Sequence, residues 1–243
     1  MTMKALILAA GRGQRMRPLT DHTPKPLLPV LGKPLIVWHL EALARGAVRD
    51  VVINTAWLEE QIPAALGDGS RWGLHIHYSM EGRDHGGALE TAGGIAKALP
   101  MLVDPGSDAF WLVSGDIYAP DFVFDPVLLQ RFSRETGPAA RLAHLWLVPN
   151  PPYHPQGDFG LSAQGWGLAD APGADGLRHT YANVALCRAA LCADIAVGTV
   201  AALGPVLFEG MRRRRISAEL YGGRWENVGT PEQLHALNST VPT

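Results

Sequence analysis

The chain has 243 residues, 47% hydrophobic and 18% charged, which sets a prior of one or two domains. A chain this long buries about 70% of its unfolded surface, so it needs neither disulfides nor a structural metal to fold. A formal charge of −2 excludes a global basic field for nucleic acid, although not a local patch; no apolar run nears the ~18 residues of a membrane span.

In chain order, Met1-Thr2 reads as a start-site extension, with Met3 the natural start. The apolar run at 6–9 predicts a first strand rather than a signal peptide, because the Gly/Arg-rich segment after it is a poor cleavage region. A helix follows over 34–45, where Leu35, Ile36, His39, Leu40 and Leu43 keep helical spacing. A strand at 51–54, a helix at 58–66 interrupted by Pro63, a strand at 74–78, a helix at 90–99 ended by Pro100 and a buried strand at 110–114 complete the first half. This βαβα order argues for an α/β fold with a largely parallel sheet covered on both faces. Beyond about residue 135 the pattern loosens to strands at 142–148 and 182–186 and a hairpin at 159–168. Helices at 199–213 and 231–238 end the chain. With no linker or repeat, residues 1–243 read as a single domain whose second half shapes a lid. Cys187 and Cys192, five apart, read as buried reduced thiols, and the expected compartment is the cytoplasm.

The most informative stretch is Leu8-Ala9-Ala10-Gly11-Arg12-Gly13-Gln14-Arg15-Met16-Arg17-Pro18-Leu19-Thr20. Glycines directly after a first strand let backbone approach a ligand and aim N–H groups at an anion, at the sheet edge where open α/β folds bind ligands. The dinucleotide fingerprint fails at Met16, and no Walker lysine follows. Instead the glycines lead to Arg12, Arg15, Arg17 and then Lys25, set between Pro24 and Pro26. Residues 11–33 carry a net charge of +4 inside a mildly acidic chain, enough for a triphosphate and too little for a nucleic acid backbone. Glycines and basic residues alone leave a solvated surface loop as an equal alternative.

The pattern Leu8-Ala9-Ala10-Gly11-x-Gly13-x-Arg15-Met16-x-Pro18-Leu19-Thr20 with Pro24-Lys25-Pro26-Leu27 resembles the signature of the sugar-1-phosphate nucleotidyltransferases. The likeness extends over nearly the whole chain and is strongest to the short bacterial N-acetylmuramate 1-phosphate uridylyltransferases, which lack a C-terminal β-helix. It implies a Rossmann-like αβα sandwich with a mostly parallel mixed sheet. It also implies a nucleotide-binding half to about residue 135, a sugar-phosphate-binding half at about 136–243, and transfer of a uridylyl group from UTP to N-acetylmuramate 1-phosphate with Mg²⁺. Related substrate pairs are a guanylyl donor with mannose- or heptose-1-phosphate; a third reading is a nucleotide-sugar-binding regulatory protein.

Residue by residue, the resemblance assigns Arg15 and Lys25 to catalysis. Ala10, Gly11, Gly13, Gln14, Glu81, Glu90, Thr91 and Gly93 fall to the nucleotide, and Asp158, Gly160 and Asn183 to the sugar. Asp116, in Val113-Ser114-Gly115-Asp116, matches the family's Gly-Asp metal motif. The second metal position, normally Asp before Val-Gly-Thr, is here Asn227, which keeps an oxygen ligand but loses a full charge. Glu226 is expected on the opposite strand face. Two glycines in one helix, Gly93 and Gly94, cost ~1 kcal/mol each and imply a close approach by ligand or by sheet. Residues 83–87 are expected to be a flexible insertion. Tyr153 and His154 are candidates for a lactyl or acetamido group. Arg212–Arg215 reads as a basic run complementing a helix dipole. The pair His75 and His77 lacks further metal ligands, and the seven tryptophans form no stacking stripe. The expected partners are UTP and a sugar 1-phosphate, without nucleic acid or membrane, and the expected state is a monomer or weak homodimer.

Overall fold

A computed structural model describes residues 3–239; Met1-Thr2, and with it the start-site reading, lies outside the described residues. The first half contains β1 (Lys4–Leu8), a small ribbon of β2 (Pro29–Val30) and β3 (Lys33–Pro34), α1 (Leu35–Arg45), β4 (Asp50–Thr55), α2 (Gln61–Leu66), β5 (His75–Met80), α3 (Glu81–His85), α4 (Glu90–Leu102) and β6 (Ala109–Ser114). There follow β7 (Ile117–Tyr118), α5 (Pro126–Ser133), β8 (Ala143–Val148), β9 (Phe159–Leu161), β10 (Gly167–Leu168), β11 (Arg178–Arg188), α6 (Leu203–Arg212), β12 (Ile216–Leu220), β13 (Glu226–Asn227) and α7 (Pro231–Ser239).

Nine strands form one sheet, ordered β10-β9-β11-β6-β1-β4-β5, with β8 on the other side of β11 and β12 beyond it. The pairings of β1 with β4 and β6, β4 with β5 and β8 with β12 are parallel; those of β11 with β6, β8 and β9, and of β9 with β10, are antiparallel. Every strand of this sheet except β10 and β11 therefore runs with β1. Alternation along the central strands splits the core between two faces. Ala5, Ile7, Val51, Ile53, Trp111 and Val113 pack on one side, and Leu6, Val52, Phe110 and Leu112 on the other, with Ile95, Leu203 and Leu207. The fold is an αβα sandwich with a mixed, mostly parallel sheet. Parallel register puts Leu8 level with Asn54 and Ser114, so the segments after β1, β4 and β6 open on one edge.

Several boundaries differ from those expected. The helix at 58–66 starts at Gln61, so Pro63 lies in its first turn, where its missing N–H has no helical partner to lose. The helix at 90–99 continues through Pro100 to Leu102, one final turn in which Val103 N–H still reaches the Leu99 carbonyl at 3.0 Å. Residues 199–202 are an extended strap instead of the start of α6, because Ala201 pairs with α4: its N–H donates to Leu89 O (2.9 Å) and its carbonyl accepts from Ala92 and Gly93 (2.9 and 3.2 Å). The flexible insertion is ordered as α3, with Lys97 Nζ on the Asp84 carboxylate at 2.7 Å. The strand at 182–186 extends back to Arg178 because β9 and β8 supply partners for its polar end. The second half, expected to shape a lid, contributes β8–β12 to the same sheet.

Candidate active site

Three cavities converge at Leu8, the last residue of β1. The first, about 390 Å³, is the glycine loop itself, lined by Gly11, Gly13, Gln14, Arg15, Lys25, Asp116 and Gly229. Gly13 has φ +65°, a conformation that costs glycine little. A Cβ there would stand 3.1 Å from Thr20 Cγ2 and 3.3 Å from Lys25 Cβ, so the glycine also lets the lysine stem pass. The Thr20 hydroxyl donates to Gly13 O at 2.8 Å and closes the loop.

Of the loop's cations, two are occupied elsewhere. Arg12 stacks 4.2 Å from the Trp57 ring centroid, and Arg17 pairs with Asp21 at 2.7 Å. Lys25 and Arg15 face the cavity. Lys25, 7% exposed, places Nζ 2.8 Å from Asp116 Oδ2, while Arg15 is exposed and has no carboxylate partner among the described residues. An ammonium and a free guanidinium at the mouth of a glycine loop suit several phosphate oxygens at once.

The second cavity, about 260 Å³, lies beneath the first turn of α4. Leu8, Ala10, Gly11, Asn54, Ala88, Glu90, Thr91, Ser114 and Asp116 line it. Glu90 holds φ +57°, a strain of roughly 1–3 kcal/mol for a side chain of this kind, which marks the turn as over-determined by its surroundings. Glu81, expected to touch the nucleotide, lies behind this cavity with no exposed surface; its carboxylate accepts from Asn54 Nδ2 (2.7 Å) and Leu89 N–H (2.8 Å). Burial raises its pKa above the ordinary carboxylate value against the pull of those two donors. Gly93 is likewise removed from the cavity. Its N–H is taken by Ala201 O, and an added Cβ would meet the Thr199 carbonyl at 2.1 Å. The glycine pair of α4 is thus explained by packing: Gly93 against the strap and Gly94 against Asn54 and Glu81.

The third and largest cavity, about 660 Å³, shares Arg15 with the first and Glu90, Thr91 and Ser114 with the second. Asp158, Asn183 and Asn227 line it, as do Tyr153 and His154. Asn183 sits at φ +59° inside a bulge where β11 slips register against β8 between Tyr181 and Ala185, a device that turns one side chain out of the ladder. Asp158 is held by Tyr181 N–H (2.8 Å) and His154 Nε2 (3.1 Å). Gly160 lies outside the lining; a Cβ there would strike Ala171 O at 2.3 Å, so it packs under the 171–173 loop. Sequence reasoning missed the opposite wall, formed by Leu203, Gly204, Leu207 and Phe208 of α6 and by Trp225. The signal was present in Leu203 and Leu207, one helical turn apart, and in Trp225, two residues before Asn227.

Asp116 and Asn227 flank the junction of these cavities. Antiparallel β7 and β13 pair Asn227 with Ile117, and Val228 N–H donates to Asp116 O at 3.0 Å, which ties the two segments together. Glu226 is exposed and outside the cavity, as alternation requires. One carboxylate and one carboxamide are hard oxygen donors, a set that fits a divalent cation completed by phosphate oxygens and water. No group of three or more His, Cys, Asp or Glu side chains suited to a metal occurs among the described residues. The cysteines are buried and free, and burial pushes both thiols up.

Comparison with known proteins places the chain in a family. The chain is 49% identical over 228 residues, 94% of both sequences, to the N-acetylmuramate alpha-1-phosphate uridylyltransferase of Neisseria meningitidis serogroup B. A 2.76 Å crystal structure of a Bacillus anthracis protein in complex with a sucrose superposes with a TM-score of 0.78 over 98% of this chain and 94% of that one, at 19% identity. HddC from Yersinia pseudotuberculosis, complexed with GMP-PN, superposes with a TM-score of 0.73 over 98% of both chains at 14% identity. Residues 4–155, the span that holds the glycine loop, Lys25 and Asp116, match the model of the nucleotidyl transferases, and the chain belongs to that family.

Proposed function

We propose that this nucleotidyltransferase transfers a uridylyl group from UTP to N-acetylmuramate 1-phosphate, giving UDP-N-acetylmuramate and pyrophosphate in the cytoplasmic recycling of cell wall. The observation that carries the reading is the similarity over 94% of both chains to the Neisseria relative, joined to a phosphate-suited glycine loop that opens into a larger polar and apolar cavity. The protein acts as a monomer or weak homodimer, and no described helix is long and apolar enough to cross a membrane.

In this reading an oxygen of the sugar phosphate attacks the α-phosphorus of UTP in line. The new P–O bond forms as the α–β bridging bond breaks, and pyrophosphate leaves with that electron pair. The attacking phosphate is already anionic, so no protein nucleophile or base is needed, and positioning and charge stabilisation carry the rate. Arg15, at the junction of the glycine loop and the wide cavity, neutralises the α-phosphate and leaving pyrophosphate. Lys25 bridges the reacting phosphates. The glycine-loop residues Ala10, Gly11, Gly13 and Gln14, with Glu90 and Thr91, hold the nucleotide; Asp158 and Asn183 hold the sugar. Asp116 and Asn227 would hold Mg²⁺, which supplies charge neutralisation on the phosphates.

Pyrophosphate release across a panel of UTP, GTP, dTTP and ATP against several sugar 1-phosphates, with and without Mg²⁺, tests the proposal. UTP with N-acetylmuramate 1-phosphate is expected to give the highest kcat/KM, and only with the metal. A preference for GTP with a mannose- or heptose-type phosphate would replace the substrates. Binding without turnover for every pair would replace the enzyme by a regulatory protein.

A further inference from the structure

We propose that Asn54 and Glu81 are positioning residues for the nucleotide, setting the width of the 260 Å³ cavity beneath α4 by tying its two walls together; the proposal rests on the nucleotide reading above. One wall includes Ala10 and Gly11, directly after Ala9; the other includes Ala88, Glu90 and Thr91, on either side of Leu89. Between them runs a chain of three buried hydrogen bonds. Ala9 N–H donates to Asn54 Oδ1 at 2.7 Å, Asn54 Nδ2 donates to Glu81 Oε1 at 2.7 Å, and Leu89 N–H donates to Glu81 Oε2 at 2.8 Å. Asn54 is 2% exposed and Glu81 fully buried.

The order of donors and acceptors allows one arrangement. Ala9 offers only an N–H, so Asn54 must present its oxygen there and its NH₂ to residue 81. Leu89 also offers only an N–H, so residue 81 must accept at both ends, which a carboxylate does and an amide does not. The surroundings are shaped around the tie. α4 crosses it at Gly94, where a Cβ would lie 2.6 Å from Asn54 Nδ2 and 2.7 Å from Glu81 Oε1. Neither carboxylate oxygen is left for a ligand, so Glu81 acts through Leu89 and the strained Glu90 rather than by touching a base.

The chemistry supplies its own rescue. E81Q alone sets NH₂ against a second donor inside the core. In N54D/E81Q the introduced carboxylate accepts from Ala9 and from the introduced amide, while the oxygen of that amide accepts from Leu89. All three bonds and the net charge return with the carboxylate moved to the other position. Calorimetry of UTP and of pyrophosphate, both with Mg²⁺, and melting temperatures are measured for wild type, E81Q, N54D and N54D/E81Q.

UTP affinity is expected to fall about tenfold or more in E81Q. Pyrophosphate, which needs only the Arg15 and Lys25 side of the site, is expected to stay within about twofold, and the double variant to recover UTP affinity to within about threefold. Unchanged UTP affinity in E81Q, equal weakening of both ligands, or a folded double variant that still binds UTP poorly would overturn the proposal. If E81Q does not fold, the double variant decides: recovery supports the tie, and loss of UTP alone refutes it. If wild type prefers another triphosphate, the substrate reading falls while the same four proteins are compared with that nucleotide.

Discussion

Gly93→Ala sets helix propensity against packing. In an ordinary exposed helix the change is stabilising by about 1 kcal/mol. Here the new methyl would stand 2.1 Å from the Thr199 carbonyl and 3.0 Å from Leu89 Cβ. The first neighbour is backbone in a strap pinned at Ala201, so it has no side-chain rotamer with which to give way. Overpacking of this kind costs about 1–3 kcal/mol, and shifting the strap weakens the two bonds that Ala92 and Gly93 donate to Ala201 O, each about 1 kcal/mol. The net expectation is a loss of roughly 2–3 kcal/mol, or about 4–12 °C in Tm for a chain of this size. The strap runs directly into Ala202–Gly204, which line the wide cavity, so KM for the sugar phosphate should rise more than KM for the nucleotide. Gly204→Ala is the matched control, because a Cβ there meets nothing within 4 Å, and its melting temperature should hold or rise slightly. Thermal unfolding of both variants with steady-state kinetics decides the matter. A Gly93→Ala protein melting at or above wild type would show that the strap is not packed on α4 as described.

Asn227→Asp adds a full charge beside Asp116, worth about 4 kcal/mol per unit of cation charge at ~4 Å and an effective dielectric of ~20. Mg²⁺ is expected to bind the nucleotide-free wild type weakly and the variant at least about tenfold more tightly, and equal calorimetric affinities would remove Asn227 from the metal site. Arg15→Ala should lower kcat by about 10²–10³ with little change in Tm, as loss of one preorganised charge does; near-normal turnover would exclude the assigned role. Stability should fall as pH drops from about 6.5 towards 4. Burial holds both His39 and His144 down at about 4; across that window the unfolded chain binds protons that the native state refuses, so unfolding is favoured as pH falls, by on the order of 3 kcal/mol per histidine in full. His39→Gln, keeping a donor for the Ile117 carbonyl that His39 Nε2 meets at 2.9 Å, should flatten part of that slope in denaturant titrations run across it.

The first half of the sheet was legible because each strand is an apolar run closed by a turn, and the glycine loop because its residue types admit few other uses. What escaped the sequence was decided by partners far along the chain. Glu81 carries the same letter whether it faces a ligand or lies buried, and its buried carboxylate is met by Asn54, 27 residues earlier, a pairing that no local window contains. Gly93 needed the strap at Thr199 to explain it, and Gly160 the loop at Ala171. The wall on α6 was hidden because Leu203, Leu207 and Phe208 follow the pattern of a core-facing stripe, and a helix lining a cavity has the same periodicity as one facing a core. Residues 178–181 gave no strand signal because their polar side chains are tolerated by pairing with β9 and β8, which no local window contains.

The long strand β11 has a consequence for how such a site changes over evolution. Its C-terminal half is laced to β6, the strand that delivers Asp116, while its N-terminal half carries Tyr181 and Asn183 into the wide cavity. The two ends of the reaction are thus graduated on a single ruler, with one bulge as the only place where the scale is interrupted. Side chains at that bulge can change without altering the pairing of β11 with β6, whereas inserting a residue between Val184 and Arg188 would shift that pairing and throw both ends out of alignment.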